Sequence, residues 1–174
     1  MSALKIESGD DGDQAGCAGQ DGLSSKNKIR DEIRTGIVRL LSRREHSRYE
    51  LKLKMRQRSY DSELVDTVLE ELEQQLLVSD ERFAEAYSYH RRERGFGPLR
   101  IASELKERQV SGQLITEYVN SSEQYWFESA AKQRAKKFGP GRLDGFAVKA
   151  KQMRFLLQKG YTQEQISFAL SFVS

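Results

Sequence analysis

Cysteine occurs once, at Cys17, proline twice and tryptophan once among 174 residues. A single thiol builds neither a disulfide within the chain nor a thiolate metal site, so a reducing, cytoplasmic setting is the expectation. The two histidines, His46 and His90, stand apart without ligand spacing, and no metal or cofactor is expected. Unbroken aliphatic or aromatic runs reach three residues, as at 76–78 and 155–157, against the ~18 that a spanning helix needs, which excludes a membrane-embedded protein. The first residues lack the basic start and apolar stretch of a secretory signal. Two glycine-rich stretches, Gly95-Phe96-Gly97-Pro98 and Gly139-Pro140-Gly141-Arg142, are followed by neither the lysine nor the hydroxyl residue of a phosphate loop and read as turns between helices. No serine or cysteine has a recognisable elbow or companion base. An enzyme is not expected.

Charge, by contrast, is abundant. Charged residues make up 32% of the chain and mean hydropathy is -0.71, so the body must be elongated enough to place many charges in water. Residues 1–25 hold five acids, one base and five glycines, too little apolar surface to offset the entropy of ordering them. We assign 1–27 as a disordered acidic tail. Taking that segment's one base and five acids from totals of 29 and 26 leaves 28 against 21, so the remainder carries +7 where the whole carries +3.

Helical signals fill the rest, and strand-like alternation is absent. Three segments share one pattern: a basic helix, a break carrying an aromatic or β-branched residue, a polar cap and a second helix. The breaks are Tyr60-Asp61, Val110-Ser111 and Tyr161-Thr162, spaced 50 and 51 positions apart, a period that signals repeated helical units. Asp61, Ser111 and Thr162 are good N-caps, and Thr162 with Gln165 completes a capping box, as does Ser47 with Glu50. Pro98 suits a first helical position. A further helix precedes each pair, at about 28–44, 81–94 and 126–137. The expected fold is all-α, three tandem three-helix repeats in an elongated, curved arrangement, divided at 28–79, 80–124 and 125–174. Its core is expected from Ile37, Leu41, Leu51, Met55, Val65, Val68 and Leu72, then Phe83, Tyr87, Ile101, Leu105, Ile115 and Val119, then Ala130, Phe138, Met153, Leu156, Ile166 and Leu170.

Lysine and arginine are absent from the third helix of every unit, 61–74, 111–124 and 162–174. Cations in a helix's last turn are favoured by its macrodipole at ~0.3–1 kcal/mol each, so Arg43, Arg44, Arg91, Arg92, Lys136 and Lys137 are individually explained without a partner. Their shared confinement to two helices of each unit implies a basic stripe along one side. Major-groove readout by the third helices is disfavoured, because they offer no Lys or Arg and the first carries six acids. Any contact with single- or double-stranded DNA is therefore expected at phosphates.

Residues 33–173 resemble the RecX family of bacterial regulators of the RecA recombinase. The resemblance is carried by Ser79-Asp80-Glu81-Arg82-Phe83-Ala84, by Gly95-Phe96-Gly97-Pro98-Leu99-Arg100-Ile101 with Glu104-Leu105, by Lys136-Lys137-Phe138-Gly139, and by Arg154-Phe155-Leu156-Leu157-Gln158-Lys159-Gly160-Tyr161. Leu76 departs from it, standing where such proteins often have a helix-ending glycine, so that helix is expected to stop by another cap. The resemblance implies a monomeric, non-enzymatic inhibitor that lodges in the groove of the RecA filament, bridges protomers, and suppresses ATP hydrolysis, strand exchange and coprotease activity, modulating DNA repair and recombination. Candidate contacts are Arg91, Arg92, Arg94 and Arg100 around the central turn, flanked by Arg43, Arg44, Arg48, Lys136, Lys137 and Arg154. The motifs support these mainly through Arg100 and Arg154; the rest follow from charge placement. Reversing Arg91, Arg92 and Arg94 is expected to weaken inhibition and leave helicity intact. The alternative is a general DNA-binding module that grips phosphates wherever they are exposed.

Overall fold

The structure, a computed structural model, describes residues 18–120, 123–139 and 145–171. Among them are nine α-helices and one π-helical turn: α1 Ala18–Leu41, α2 Arg48–Arg56, α3 Ser62–Gln74, α4 Asp80–Glu93, α5 Pro98–Glu107, α6 Gly112–Ile115, the π-turn Thr116–Asn120, α7 Glu123–Phe138, α8 Phe146–Lys159 and α9 Gln163–Ser171. They form three consecutive trios. The first helix is longer than the sequence predicts: α1 begins at Ala18, ten residues inside the segment assigned to the tail. Residues 1–17, including Cys17, and 140–144, including Pro140, lie outside the described residues.

Capping follows the sequence closely. Ser47, Asp61, Ser79 and Ser111 each accept from the backbone N–H three residues on, satisfying donors that the first helical turn leaves free. Thr162 and Gln165 bond each other's backbone N–H in a complete box. At Ser47 only half of the box forms, because the Glu50 carboxylate turns to Arg44, His46 and Arg108.

The helix ends explain why the breaks carry aromatic or β-branched residues. Ser59, Leu76, Gly95, Gln109 and Gly160 all adopt positive φ. The next residue's N–H then reaches back to the carbonyl five positions earlier: Tyr60 to Met55, Leu77 to Leu72, Phe96 to Arg91, Val110 to Leu105 and Tyr161 to Leu156. This left-handed turn satisfies carbonyls orphaned at a helix end and presses the residue after it onto the last turn. Leu76 therefore ends α3 by the same turn that glycine favours, at φ +58, and not by another cap.

Buried apolar residues form two clusters. Ile33, Ile37, Leu51, Met55, Val65, Val68, Leu69, Leu72 and Val78 make one core within the first trio. The second and third trios share the other, which runs from Phe83, Ile101, Leu105 and Val119 through Trp126 and Ala130 to Leu156, Tyr161, Ile166 and Leu170. Leu41, Tyr87, Ile115, Phe138 and Met153, expected inside, are half-buried; Phe138 meets Phe155 edge-on at 5.4 Å, and the other four pack at the rims of these clusters.

The third helix of the middle trio departs most from expectation. α6 ends at Ile115 and passes into the π-turn. Side chains take the carbonyls there: Arg92 Nη2 donates to Tyr118, and Trp126 Nε1 donates to Val119 at 2.8 Å. Carbonyls held from outside need no helical N–H, which lets the helix widen.

Candidate functional site

Two glycine-containing turns that are remote in sequence meet at the junction of the second and third trios. The turn after α4 docks on the end of α8: Gly97 N–H donates to the Lys159 carbonyl at 2.8 Å, Leu99 N–H to the Gly160 carbonyl at 3.0 Å, and Arg100 Nη1 to the Gln158 carbonyl at 3.1 Å. The buried Tyr161 hydroxyl donates to the Gly95 carbonyl at 3.3 Å and lies 2.8 Å from Ser129 Oγ; burial pushes that phenol up to about 12. A Cβ on Gly97 would sit 2.4 Å from the Gly160 backbone, so only glycine permits this approach.

Phe96, at the apex of that turn, gathers cations. The guanidinium carbons of Arg91 and Arg100 lie 4.2 and 4.6 Å from its ring centroid, and Lys159 Nζ lies 4.6 Å away. Each such contact is worth ~0.5–1 kcal/mol at an exposed site. Arg91 occupies the helix position held by Met55, Leu72, Leu105 and Leu156 at the other left-handed ends, where an apolar side chain meets the residue after the turn. Stacking on Phe96 replaces that apolar contact.

One carboxylate balances this group. Glu104 accepts from Arg91 Nε at 2.5 Å and from its Nη2, from Arg100 Nε at 3.1 Å and from the Tyr87 hydroxyl at 2.9 Å. Burial raises the Glu104 carboxyl, but the bonds from Arg91, Arg100 and Tyr87 outweigh it and hold the group below its ordinary range. Burial lowers Lys159, and the charges of Arg100, Lys136, Arg94 and Arg91 lower it further. Five cations thus converge where one carboxylate answers them.

A second group adjoins it. Arg43, Arg44, Glu45 and Glu50 of the first trio face Phe83, Tyr87, His90, Arg91, Arg94 and Arg108 of the second across a cleft of about 490 Å³. Arg91 and Arg94 belong to both groups, so a cationic path runs from Arg43 and Arg44 through Arg108, Arg91 and Arg94 to Arg100, Lys159 and Lys136. Ion pairs hold the cleft: Arg82 Nε with Glu45 at 3.0 Å, Arg108 Nε with Glu50 at 3.1 Å, and Arg44 Nη1 with Glu50 at 3.0 Å.

Not every candidate lies on that path. Arg48 turns to Asp66, Glu70 and Glu73 of α3. Arg92 stacks on Trp126 and Tyr125 at 5.2 and 5.6 Å while it holds the π-turn. Lys137 and Arg154 are exposed on α7 and α8. Charge reversal at Arg91 or Arg92 would remove contacts of the fold itself, whereas Arg94 is exposed and unpaired among the described residues. Phe96, Glu104, Arg108 and Lys159 complete the path and were not among the sequence candidates. The Gly-Phe-Gly-Pro turn pointed to Phe96; nothing local pointed to Lys159 as its neighbour.

Tandem helical trios with a cationic path across their junctions define a helical-repeat protein. Models of RecX, first, second and third three-helix domain, match residues 37–72, 79–119 and 123–170. The chain belongs to the RecX family of regulatory proteins. It is 37% identical over 147 residues to Regulatory protein RecX of Halorhodospira halophila, covering 84% of this chain and 91% of that one. To Regulatory protein RecX of Pseudomonas entomophila it is 34% identical over 139 residues, covering 80% and 90%. The crystal structure of RecX from Lactobacillus salivarius superimposes with a TM-score of 0.70 at 17% identity, over 84% of this chain and 97% of that chain. A second RecX crystal structure gives 0.75 at 18%, over 95% and 81%. Among the described residues no helix is long and apolar enough to cross a membrane.

Proposed function

We propose that the chain regulates the RecA recombinase without turning over a substrate, by lying in the groove of the RecA filament on DNA, bridging adjacent protomers, and so suppressing ATP hydrolysis, strand exchange and coprotease activity. The observation that carries this reading is the cationic path, which crosses both junctions and so spans all three trios. A polymer presents the same acidic feature at regular intervals. Linked units can each take one weak contact and gain avidity together, and cations facing an acidic groove speed encounter and fix orientation. Arg94, Arg100, Lys136, Arg43 and Arg44 are the contacts on this reading, with Lys137 and Arg154 flanking, while Arg91, Arg92 and Arg48 act mainly by shaping the surface.

Cosedimentation with RecA filaments and with bare DNA, at two salt concentrations and with ATP hydrolysis followed in parallel, tests it. Binding should saturate at a fixed ratio on filaments, exceed binding to bare DNA, and lower hydrolysis. Arg94→Glu combined with Lys136→Glu should weaken inhibition about tenfold with unchanged far-UV circular dichroism. Equal or tighter binding to bare DNA overturns the regulator reading in favour of a phosphate-gripping module.

A further inference from the structure

The cleft between the first and second trios holds more positive charge than its own architecture uses. Five arginines line it with two glutamates. Arg82 reaches Glu45 and Glu104 reaches Arg91 from outside the cleft, and these two charges cancel. Three helix ends open on it, those of α1, α4 and α5, which Arg43, Arg94 and Arg108 follow. Even with about half a negative charge at each end, the cleft keeps a surplus of roughly one and a half positive charges.

The surplus is located. Arg43 and Arg94 make no side-chain hydrogen bond or ion pair among the described residues, and they approach from opposite trios. The remaining arginines are braced and still have donors to spare. Arg108 is fixed by Glu50 and the Glu104 carbonyl and lies 4.9 Å over the Tyr87 ring, with Nη2 unused. Arg91 is fixed by Glu104, with Nη1 unused. Arg44 is fixed through Nη1 alone. A planar carboxylate presents its two oxygens to one side. Donors arriving from the ends of three helices suit a tetrahedral anion that presents oxygens in several directions, and two unpaired cations suit a doubly charged one. One acceptor in the wall, Glu45 Oε2, is buried without a partner, and a hydroxyl on the ligand would satisfy it.

We propose that this cleft is a phosphate-binding site, taking the phosphate groups of a nucleotide or polynucleotide between Arg43 and Arg94 and thereby bracing the first trio against the second. The site shares Arg43, Arg44 and Arg94 with the recombinase reading but does not rest on it, since phosphate binding is tested on the isolated chain.

Calorimetric titration of the full chain with inorganic pyrophosphate, at ionic strength held constant with chloride, tests it. Saturable binding is expected, with a rise in melting temperature. Arg43→Gln with Arg94→Gln should weaken it at least tenfold, and Lys132→Gln on the exposed face of α7 should leave it unchanged. Both arginines are exposed and unpaired, so the double variant should fold; if it does not, each single variant should show about a threefold loss. Parallel titrations with ADP and with a thymidine oligonucleotide distinguish a free nucleotide from a strand as the source, whichever binds more tightly. Absence of saturable pyrophosphate binding, an equal loss in Lys132→Gln, or tighter binding of a poly-glutamate peptide than of pyrophosphate would overturn the proposal.

Discussion

The two junctions of this chain join similar trios by different physics. Between the second and third trios the core is continuous, and backbone groups of the α4–α5 turn bond those at the end of α8. Between the first and second trios no apolar cluster crosses. That contact consists of Arg82 with Glu45, Arg108 with Glu50, Arg48 N–H on Asp80 at 2.8 Å, and Arg82 on the carbonyls of Leu76 and Leu77. Partly exposed ion pairs contribute ~0–1 kcal/mol each and weaken in salt, whereas buried apolar area is insensitive to it. Repetition in sequence therefore does not imply equal coupling. The second and third trios should behave as one cooperative body, with the first as a separately adjustable arm, as expected where stability is a sum of local cores and interfaces.

The strongest way to break that contrast is Gly97→Ala. Its new methyl would lie 2.4 Å from backbone atoms of Gly160, which cannot move without unseating Tyr161. A loss of about 3 kcal/mol is expected in urea unfolding, with hydrogen exchange accelerating across α4–α9 while α1–α3 stay protected. Uniform acceleration through α1–α3 would show that the first trio is not energetically separate.

Glu104→Gln is the next largest. Arg91 and Arg100 would lose their carboxylate in a half-buried place, a cost of about 2 kcal/mol at neutral pH. Because the folded carboxyl titrates below its ordinary range, the wild type holds this contribution above the unfolded value of ~4.3 and loses it as pH falls through the lower folded value. The difference between wild type and variant should therefore shrink as pH falls below that unfolded value, and a difference that stays constant through the acid range would place the effect in packing.

How much of this was legible in the sequence depended on range. Caps and helix ends are local, so Ser47, Asp61, Ser111 and Thr162 could be read directly, and the spacing of Tyr60, Val110 and Tyr161 by about 50 residues exposed the repeat because each follows a left-handed turn. Family membership was legible in the same turns. The pairing of Phe96 with Lys159 was not, since it joins residues 63 positions apart through docking that no local pattern encodes. Nor was the inward role of Arg91 and Arg92: a last-turn cation looks the same in sequence whether it faces water or an aromatic ring. The π-turn was hidden for a related reason, as its carbonyls are claimed by Arg92 and Trp126 from neighbouring helices.

At the first junction smaller effects are expected. Arg82→Gln removes the pair with Glu45 and weakens the bonds to the Leu76 and Leu77 carbonyls, with side chains 42% and 31% exposed in the ion pair. About 0.5–1 kcal/mol should be lost at low salt and less than half of that in 0.5 M sodium chloride. The second junction, probed by Gly97→Ala, should show no such salt dependence. Equal salt sensitivity of the two variants would erase the distinction drawn between the junctions.

Leu76→Gly should act in the opposite direction. The residue is 75% exposed, so its side chain packs little, and its φ of +58 carries a steric cost that glycine avoids. Against this stands the greater freedom of glycine in the unfolded chain. The left-handed cost of ~1–2 kcal/mol outweighs that entropy, leaving a net gain of about 0.5 kcal/mol, confined to α1–α3. At the second junction the corresponding turn residue is already Gly160, at φ +90, where an added Cβ would lie 2.3 Å from that of Arg100. Gly160→Ala should destabilise, so the same left-handed turn has room for a side chain at the polar junction and none at the packed one.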